Sequence, residues 1–312
     1  LRTISRLDEV YQKAHRVPFD DSSKFVFFSD IHRGDDSLSD EFGRNKHIYN
    51  FALSDYYNKG YTYVEVGDGD ELWEQSKFEH IRNAHAVTFN RLKKFHDEGR
   101  LYMLFGNHNI CFSKPKNVEK MLYRVYDEYE GTYEDLFPGI TVYEALLLSH
   151  KETGQNIFVV HGHQGDFLND QLAPLTLLGV RFFWRFFHLV GFRYAASPAK
   201  SRRKRHKVEK NYTKWNQTHN EIIICGHTHR PRFPLPEEGS YFNTGCCMHP
   251  RGITCIELEN SKLSLVVWRV HTKEDGMMYI RKTVLRGPAP IKWYGNGAQT
   301  QLQAQTKDNG GK

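Results

Sequence analysis

Phe25-Val-Phe-Phe-Ser29 runs straight into Asp30-Ile-His-Arg-Gly-Asp-Asp36. An apolar run of this length reads as a buried strand, and the polar, glycine-containing stretch behind it reads as a loop. The same order recurs down the chain. Asp40 to Lys59 spaces Phe42, Ile48, Phe51, Ala52 and Leu53 as one face of a helix, with Gly60 as its stop. Tyr61 to Val66 is a second strand and ends in Gly67-Asp68-Gly69-Asp70. A helix over Phe78 to His96 leads to a third strand, Leu101 to Leu104, which ends in Gly106-Asn107-His108. Asn156 to Val160 ends in His161-Gly162-His163, and Glu221 to Cys225 ends in Gly226-His227-Thr228-His229. Alternating strands and helices predict an α/β fold whose strand-end loops meet along one sheet edge, where such sheets bind ligands.

Those five loops carry the chemistry. An isolated Asp-x-His is commonly a surface pair, and any one of the strings is weak evidence. Together they bring Asp30, His32, Asp68, Asn107, His161, His227 and His229 to successive strand ends. A donor set of carboxylate, amide and imidazole without thiolate suits Mn²⁺, Fe²⁺, Zn²⁺ or Mg²⁺. His163 is expected to support the ligands rather than to join them, and Asp70 reads either as such a support or as a solvated turn.

In this order and after these strands, the loops resemble those of the calcineurin-like metallophosphoesterase superfamily, over most of residues 24 to 260. The resemblance implies a four-layer αββα sandwich with an inserted helical cap and two divalent ions, most simply Mn. One ion falls to Asp30, His32, Asp68 and His229, the other to Asp68, Asn107, His161 and His227, with Asp68 as the bridge. Two such ions activate water for in-line attack on a phosphoester or pyrophosphate. His108 is then the catalytic residue that protonates the leaving oxygen. The family usually carries an acid after Gly-Asn-His; here Asn109 stands in that place, a candidate support that can accept a hydrogen bond but not stabilise imidazolium as a carboxylate does, unless another acid in space substitutes. Gly67 to Trp73 (GDGDELW) and Gly226 to Pro231 (GHTHRP) are similar to strings of the UDP-2,3-diacylglucosamine hydrolase-like group. Against that group, His108 stands where its lipid A enzymes have Arg, and HGHQGD stands where they have HGD.

Composition sets the frame. The chain has 312 residues, 39% hydrophobic and 14% aromatic, ample for a packed core and incompatible with global disorder. Its five cysteines are scattered without a CxxC pair, so neither a disulfide framework nor a thiolate zinc site is expected. A reducing, cytoplasmic setting follows, with no secretory leader and no spanning helix expected. Gly252 to Leu258, Leu263 to Val270 and Met277 to Val284 read as an antiparallel group. The division expected is an extension over 1–23, a core over 24–166 and 220–290, a cap over 167–219, and a disordered tail over 295–312.

The net charge of +6 is unevenly placed: Arg181 to Lys214 holds eleven basic residues and one acid. Within it, Leu177 to Tyr194 forms a wide apolar helix face with Arg181 and Arg185 on one stripe, and Lys200 to Lys207 is almost wholly basic. Arg33, Arg181, Arg185, Arg202, Arg203, Lys204 and Arg205 are therefore candidate contacts to substrate or partner. The run reads as a solvated loop, an arm for anionic lipid or membrane, or a nucleic-acid contact. Three function classes remain at this stage: a two-metal phosphohydrolase acting on a nucleotide-linked lipid or other phosphate, a nuclease using the cap, and a non-catalytic scaffold. The scaffold would be marked by lost ligands, and none is lost here. Oligomeric state is not legible in the sequence.

Overall fold

The computed structural model describes residues 2–75, 77–127, 131–165 and 202–295. In chain order its strands are β1 (His15–Phe19), β2 (Lys24–Phe28), β3 (Thr62–Val66), β4 (Leu101–Leu104), β5 (Arg124–Asp127), β6 (Thr132–Asp135), β7 (Val142–Tyr143), β8 (Ala145–His150), β9 (Asn156–Val160), β10 (Ile222–Cys225), β11 (Tyr241–Asn243), β12 (Ile253–Glu259), β13 (Lys262–Thr272) and β14 (Met278–Pro290). The main helices are α1 (Arg2–Lys13), α2 (Lys46–Asn58), α3 (Phe78–Ala84), α4 (Ala86–Asp97) and α5 (Arg202–His219).

Two sheets form, one in the order β1-β8-β9-β10-β11 and one in the order β14-β13-β12-β2-β3-β4-β7, with β5 and β6 as a separate hairpin. Strand alternation decides what each face meets. Phe25 and Phe27 of β2 pack with Ile222 and Ile224 of β10 between the sheets. Their neighbours Val26 and Phe28 face Tyr49, Tyr56 and Phe89 of α2 and α4. On the far side, Ile223, Cys225 and Phe158 meet Leu7 and Val10 of α1 and Tyr212 and Trp215 of α5. The result is the four-layer αββα sandwich, with β2-β3-β4 parallel and β9 parallel to β10, so the loops after all five strands open at one end.

Three expectations need correction. Residues 1–23 are no extension: α1 covers a sheet, and β1 pairs in parallel with β8 because Val17 and Phe19 point into the inter-sheet core. Nor does the cap continue to residue 219, since Val208, Tyr212 and Trp215 of α5 are buried in the outer core. Thirdly, the helix expected over 78–96 is two helices, parted at His85, whose buried ring bonds the Asp40 carboxylate at 2.8 Å. The apolar stretch with Arg181 and Arg185 lies outside the described residues, as does the tail beyond Gly295. Among the described residues no helix is long and apolar enough to cross a membrane, and the five cysteines are free.

Candidate metal centre

Three of the five strand-end loops leave their strands through an unusual backbone turn. Asp30, His32, Asp68, His227 and His229 all have φ between 51° and 65°, in the left-handed region that few residues other than glycine adopt. Such conformations persist only when the surroundings hold them, and they gather at functional sites. Here the loops lace each other: the Asp30 N–H donates to Gly67 O, the His32 N–H to Asp68 O and the Arg33 N–H to Gly69 O, at 2.9–3.1 Å. The His227 N–H in turn donates to the Asp30 carboxylate at 2.8 Å, and the His108 N–H to Asp68 Oδ1 at 2.8 Å. Gly106 is required by this closeness, because a Cβ there would lie 2.2 Å from Asp68 Oδ1.

The expected ligands converge into two groups, Asp30 with His32 and His229, and Asp68 with His161 and His227, while His32 also meets Glu71 and His108 in a third cluster. His229 Nε2 is 3.0 Å from Asp30 Oδ1, and His161 Nε2 is 3.1 Å from Asp68 Oδ2. Asp68 Oδ2 is also 3.8 Å from His32 Nε2, so this carboxylate stands between the groups. His161 Nδ1–H donates to Val66 O at 2.8 Å, which turns Nε2 toward Asp68 Oδ2. Four buried atoms, His32 Nε2, Asn107 Oδ1, His161 Nε2 and His227 Nε2, have no hydrogen-bond partner among the described residues. Burial without a partner is costly for such atoms. The donor set therefore fits divalent ions.

Charge points the same way. Burial pushes the Asp30 carboxyl up, but His229 and His161 more than offset it and hold the group at about 2. Asp68 is likewise held well below the usual range against its burial, by His161 and His108. Burial and the neighbouring His161 push His227 down to about 3, so it is neutral and able to ligate.

His108 is held by an acid that the loop readings passed over. Glu71 lies 2.8 Å from His108 Nδ1 and 2.7 Å from His32 Nδ1. Burial pushes His108 down, yet the Glu71 and Asp68 charges raise it to about 9. At neutral pH it is an imidazolium whose Nδ1–H is taken by Glu71, which leaves Nε2–H to give. The signal was present in the sequence, since Glu71 is the acid of the Gly67–Trp73 string.

Asn109 does not touch the His108 ring; its Oδ1 accepts the Gly106 N–H at 2.6 Å and closes the loop. Asp70 is no solvated turn: it is fully buried and bonds Arg33 Nε at 2.7 Å. Arg33, expected at the substrate, is also wholly buried, with its other nitrogens on both Glu65 oxygens at 2.8 Å. Its chemistry is consumed inside the fold, because two carboxylates already surround it. His163 is buried outside both ligand groups, with its ring 5.5 Å from that of His161, and burial plus the two neighbouring histidines keep it neutral. Arg202, Arg203, Lys204 and Arg205 form the first turn of α5, the helix whose later turns dock on the core.

No curated protein matches the chain. Among solved structures it is similar to a mutant of a cold-active protein tyrosine phosphatase (16% identity, 87% of this chain and 82% of that one, TM-score 0.40). It is also similar to Chaetomium thermophilum Vps29 (8% identity, 87% of this chain and all of that one, TM-score 0.40). The calcineurin-like phosphoesterase family matches residues 23–231, a span that takes in every ligand loop and more than half of the sequence. With its sandwich fold and its metal-competent strand ends, the chain belongs to the calcineurin-like phosphoesterases, metal-dependent hydrolases of phosphoester bonds.

Proposed function

We propose that the protein is a binuclear metallophosphohydrolase in which Asp30, His32, Asp68 and His229 hold one divalent ion and Asp68, Asn107, His161 and His227 hold the other. The observation that carries this reading is the set of four partnerless buried donor atoms gathered around Asp68. When bound, two such ions lower the pKa of water and neutralise charge on the transferring phosphoryl group. The rest falls to the chain itself. Asp68 sets the spacing of the two groups, and its Oδ1 fixes the backbone of the His108 loop. His108 holds a proton at Nε2 for the leaving oxygen, and Glu71 keeps the ring charged and turned. Manganese is the ion we assign first, with Fe, Zn and Mg as the other arms of a reconstitution series.

The substrate is a phosphoester or pyrophosphate, and a nucleotide-linked lipid is the version that the 167–201 stretch supports by composition alone. The test is hydrolysis of para-nitrophenyl phosphate and its bis ester by metal-loaded protein, beside His108→Ala. The expected result is metal-dependent turnover that His108→Ala lowers by about 10²- to 10⁴-fold with metal content unchanged. The loss should be smaller for the activated aryl ester than for an alkyl ester, whose leaving oxygen needs the proton. Turnover without metal, or none with any of the four ions, overturns the reading.

A further inference from the structure

β13 and β14 continue beyond the sheet that they belong to. Ile256 of β12 pairs with Phe27 of β2, and Ile253 of β12 pairs with Trp268 of β13. Trp268 is thus level with Asp30, the first ligand, and the hairpin past it runs on beyond the metal end of the sandwich, with Ile280 still packed on the helix-side core. The first pair past that level is Arg269 opposite Arg281, followed on the same face by His271 opposite Tyr279. Side chains alternate along a strand. Arg269 therefore shares its face with Leu263 and Leu265, which point between the sheets, and not with Trp268, which points at the helices. That face is the one that borders the opening between the sheets.

Like charges directly opposite each other on a ladder are destabilising. Among the described residues no carboxylate pairs with Arg269, Arg281 or Arg286, and all three are exposed. The acids of the arm, Glu274 and Asp275, sit at its tip, and Asp275 caps the Met277 N–H there. Lys273 adds a cation over the Tyr279 ring at 6.0 Å. Gly252, with φ +131°, makes room for the arrangement: a Cβ there would stand 2.6 Å from Cγ of Arg269, so the arginine stem lies against the 244–252 loop. The Cys247 N–H of that loop donates to Asp30 O. With neighbouring strands about 4.8 Å apart, β13 and β14 run about 10 and 15 Å to the side of β2.

We propose that the Arg269–Arg281 pair is a second anion site, which receives an anionic group that the substrate carries away from its scissile phosphate. The substrate class is then a phosphoester bearing a further phosphate or carboxylate several bonds from the scissile one. This deepens the phosphohydrolase reading and rests on it. An anion between the two guanidinium groups removes their repulsion and gains charge-assisted hydrogen bonds.

The test uses hexanediol bisphosphate and hexyl phosphate, which differ only in the second phosphate. Each is measured as an inhibitor of para-nitrophenyl phosphate hydrolysis by the Mn-loaded full chain, and by calorimetric binding to the same protein. The bisphosphate should act at about tenfold lower concentration, the worth of one charge-assisted contact. The Arg269→Ser/Arg281→Ser variant should lose that advantage and keep its kcat/KM for the aryl ester, while Arg269→Lys/Arg281→Lys keeps part of it. Equal binding of both ligands by the parent, or an advantage that survives the Ser variant, overturns the proposal. The two readings fail separately: absent hydrolysis defeats the phosphohydrolase, whereas calorimetry still reports on the arginine pair.

Discussion

The indole of Trp73 stacks on the imidazole of His108, with ring centroids 4.2 Å apart and planes 19° from parallel. Glu71 grips the same ring at its edge, so the His108 imidazole is fixed on two sides by residues two positions apart in sequence.

A charged ring over an indole face gains about 0.5–2 kcal/mol, depending on how dry the contact is. Trp73→Leu should therefore lower kcat by roughly 2- to 30-fold with little change in KM, and Trp73→Phe should restore most of it. Steady-state kinetics at fixed metal saturation checks this.

Glu71→Gln keeps the shape and removes the charge that holds His108 up at about 9. In the proposed role His108 is active below its pKa and inactive above it, so a lowered pKa brings the loss to lower pH. The alkaline limb of the kcat/KM profile should shift downward in the variant. An unmoved limb would mean that another group sets it.

Asp68→Ala removes the carboxylate whose Oδ2 lies 3.8 Å from His32 Nε2 and 3.1 Å from His161 Nε2. Both ions should be lost together and turnover should fall to background. Elemental analysis after dialysis reads the outcome, and retention of either ion at the parental level assigns the bridge elsewhere.

Arg33→Met leaves Glu65 and Asp70 buried without their cation. Breaking a buried ion pair from one side costs about 3–5 kcal/mol. Urea unfolding should show a loss of that order. A substrate-binding arginine would instead raise KM and leave stability almost untouched.

Trp215→Ala tests whether the second half of the basic segment is core. Trp215 is fully buried, stacks on His219 at 3.9 Å and donates from Nε1 to Asp8 at 2.8 Å. Truncating such a ring costs about 3–5 kcal/mol. A solvated cap helix would lose almost nothing, and thermal unfolding separates the two.

The five strand–loop units were legible because each joins a continuous apolar run to a polar, glycine-bearing loop, a local pattern. β1 was not, since His15–Phe19 looks ordinary until β8 supplies its partner 131 residues later. α5 misled for a related reason: its buried Val208, Tyr212 and Trp215 are separated by Lys210, Thr213 and Lys214, which face solvent, and the charge drowned the spacing. At the site, ligand identities follow from loop position, whereas the partners of Arg33 and His108 depend on which side chains turn inward. Asp70 and Glu71 are adjacent, yet one binds Arg33 and the other His108. No composition rule distinguishes them.

The left-handed backbone at Asp30, His32, Asp68, His227 and His229 narrows what an engineer could write into these loops. Asp, Asn and His tolerate that conformation, whereas β-branched or bulky side chains do so only as outliers. Retuning the centre toward another ion is thus confined to a three-letter alphabet plus glycine at five of its positions. Thiolate or long carboxylate donors would have to be recruited from Asn107, His161 or positions outside the set, where the chain imposes no such filter.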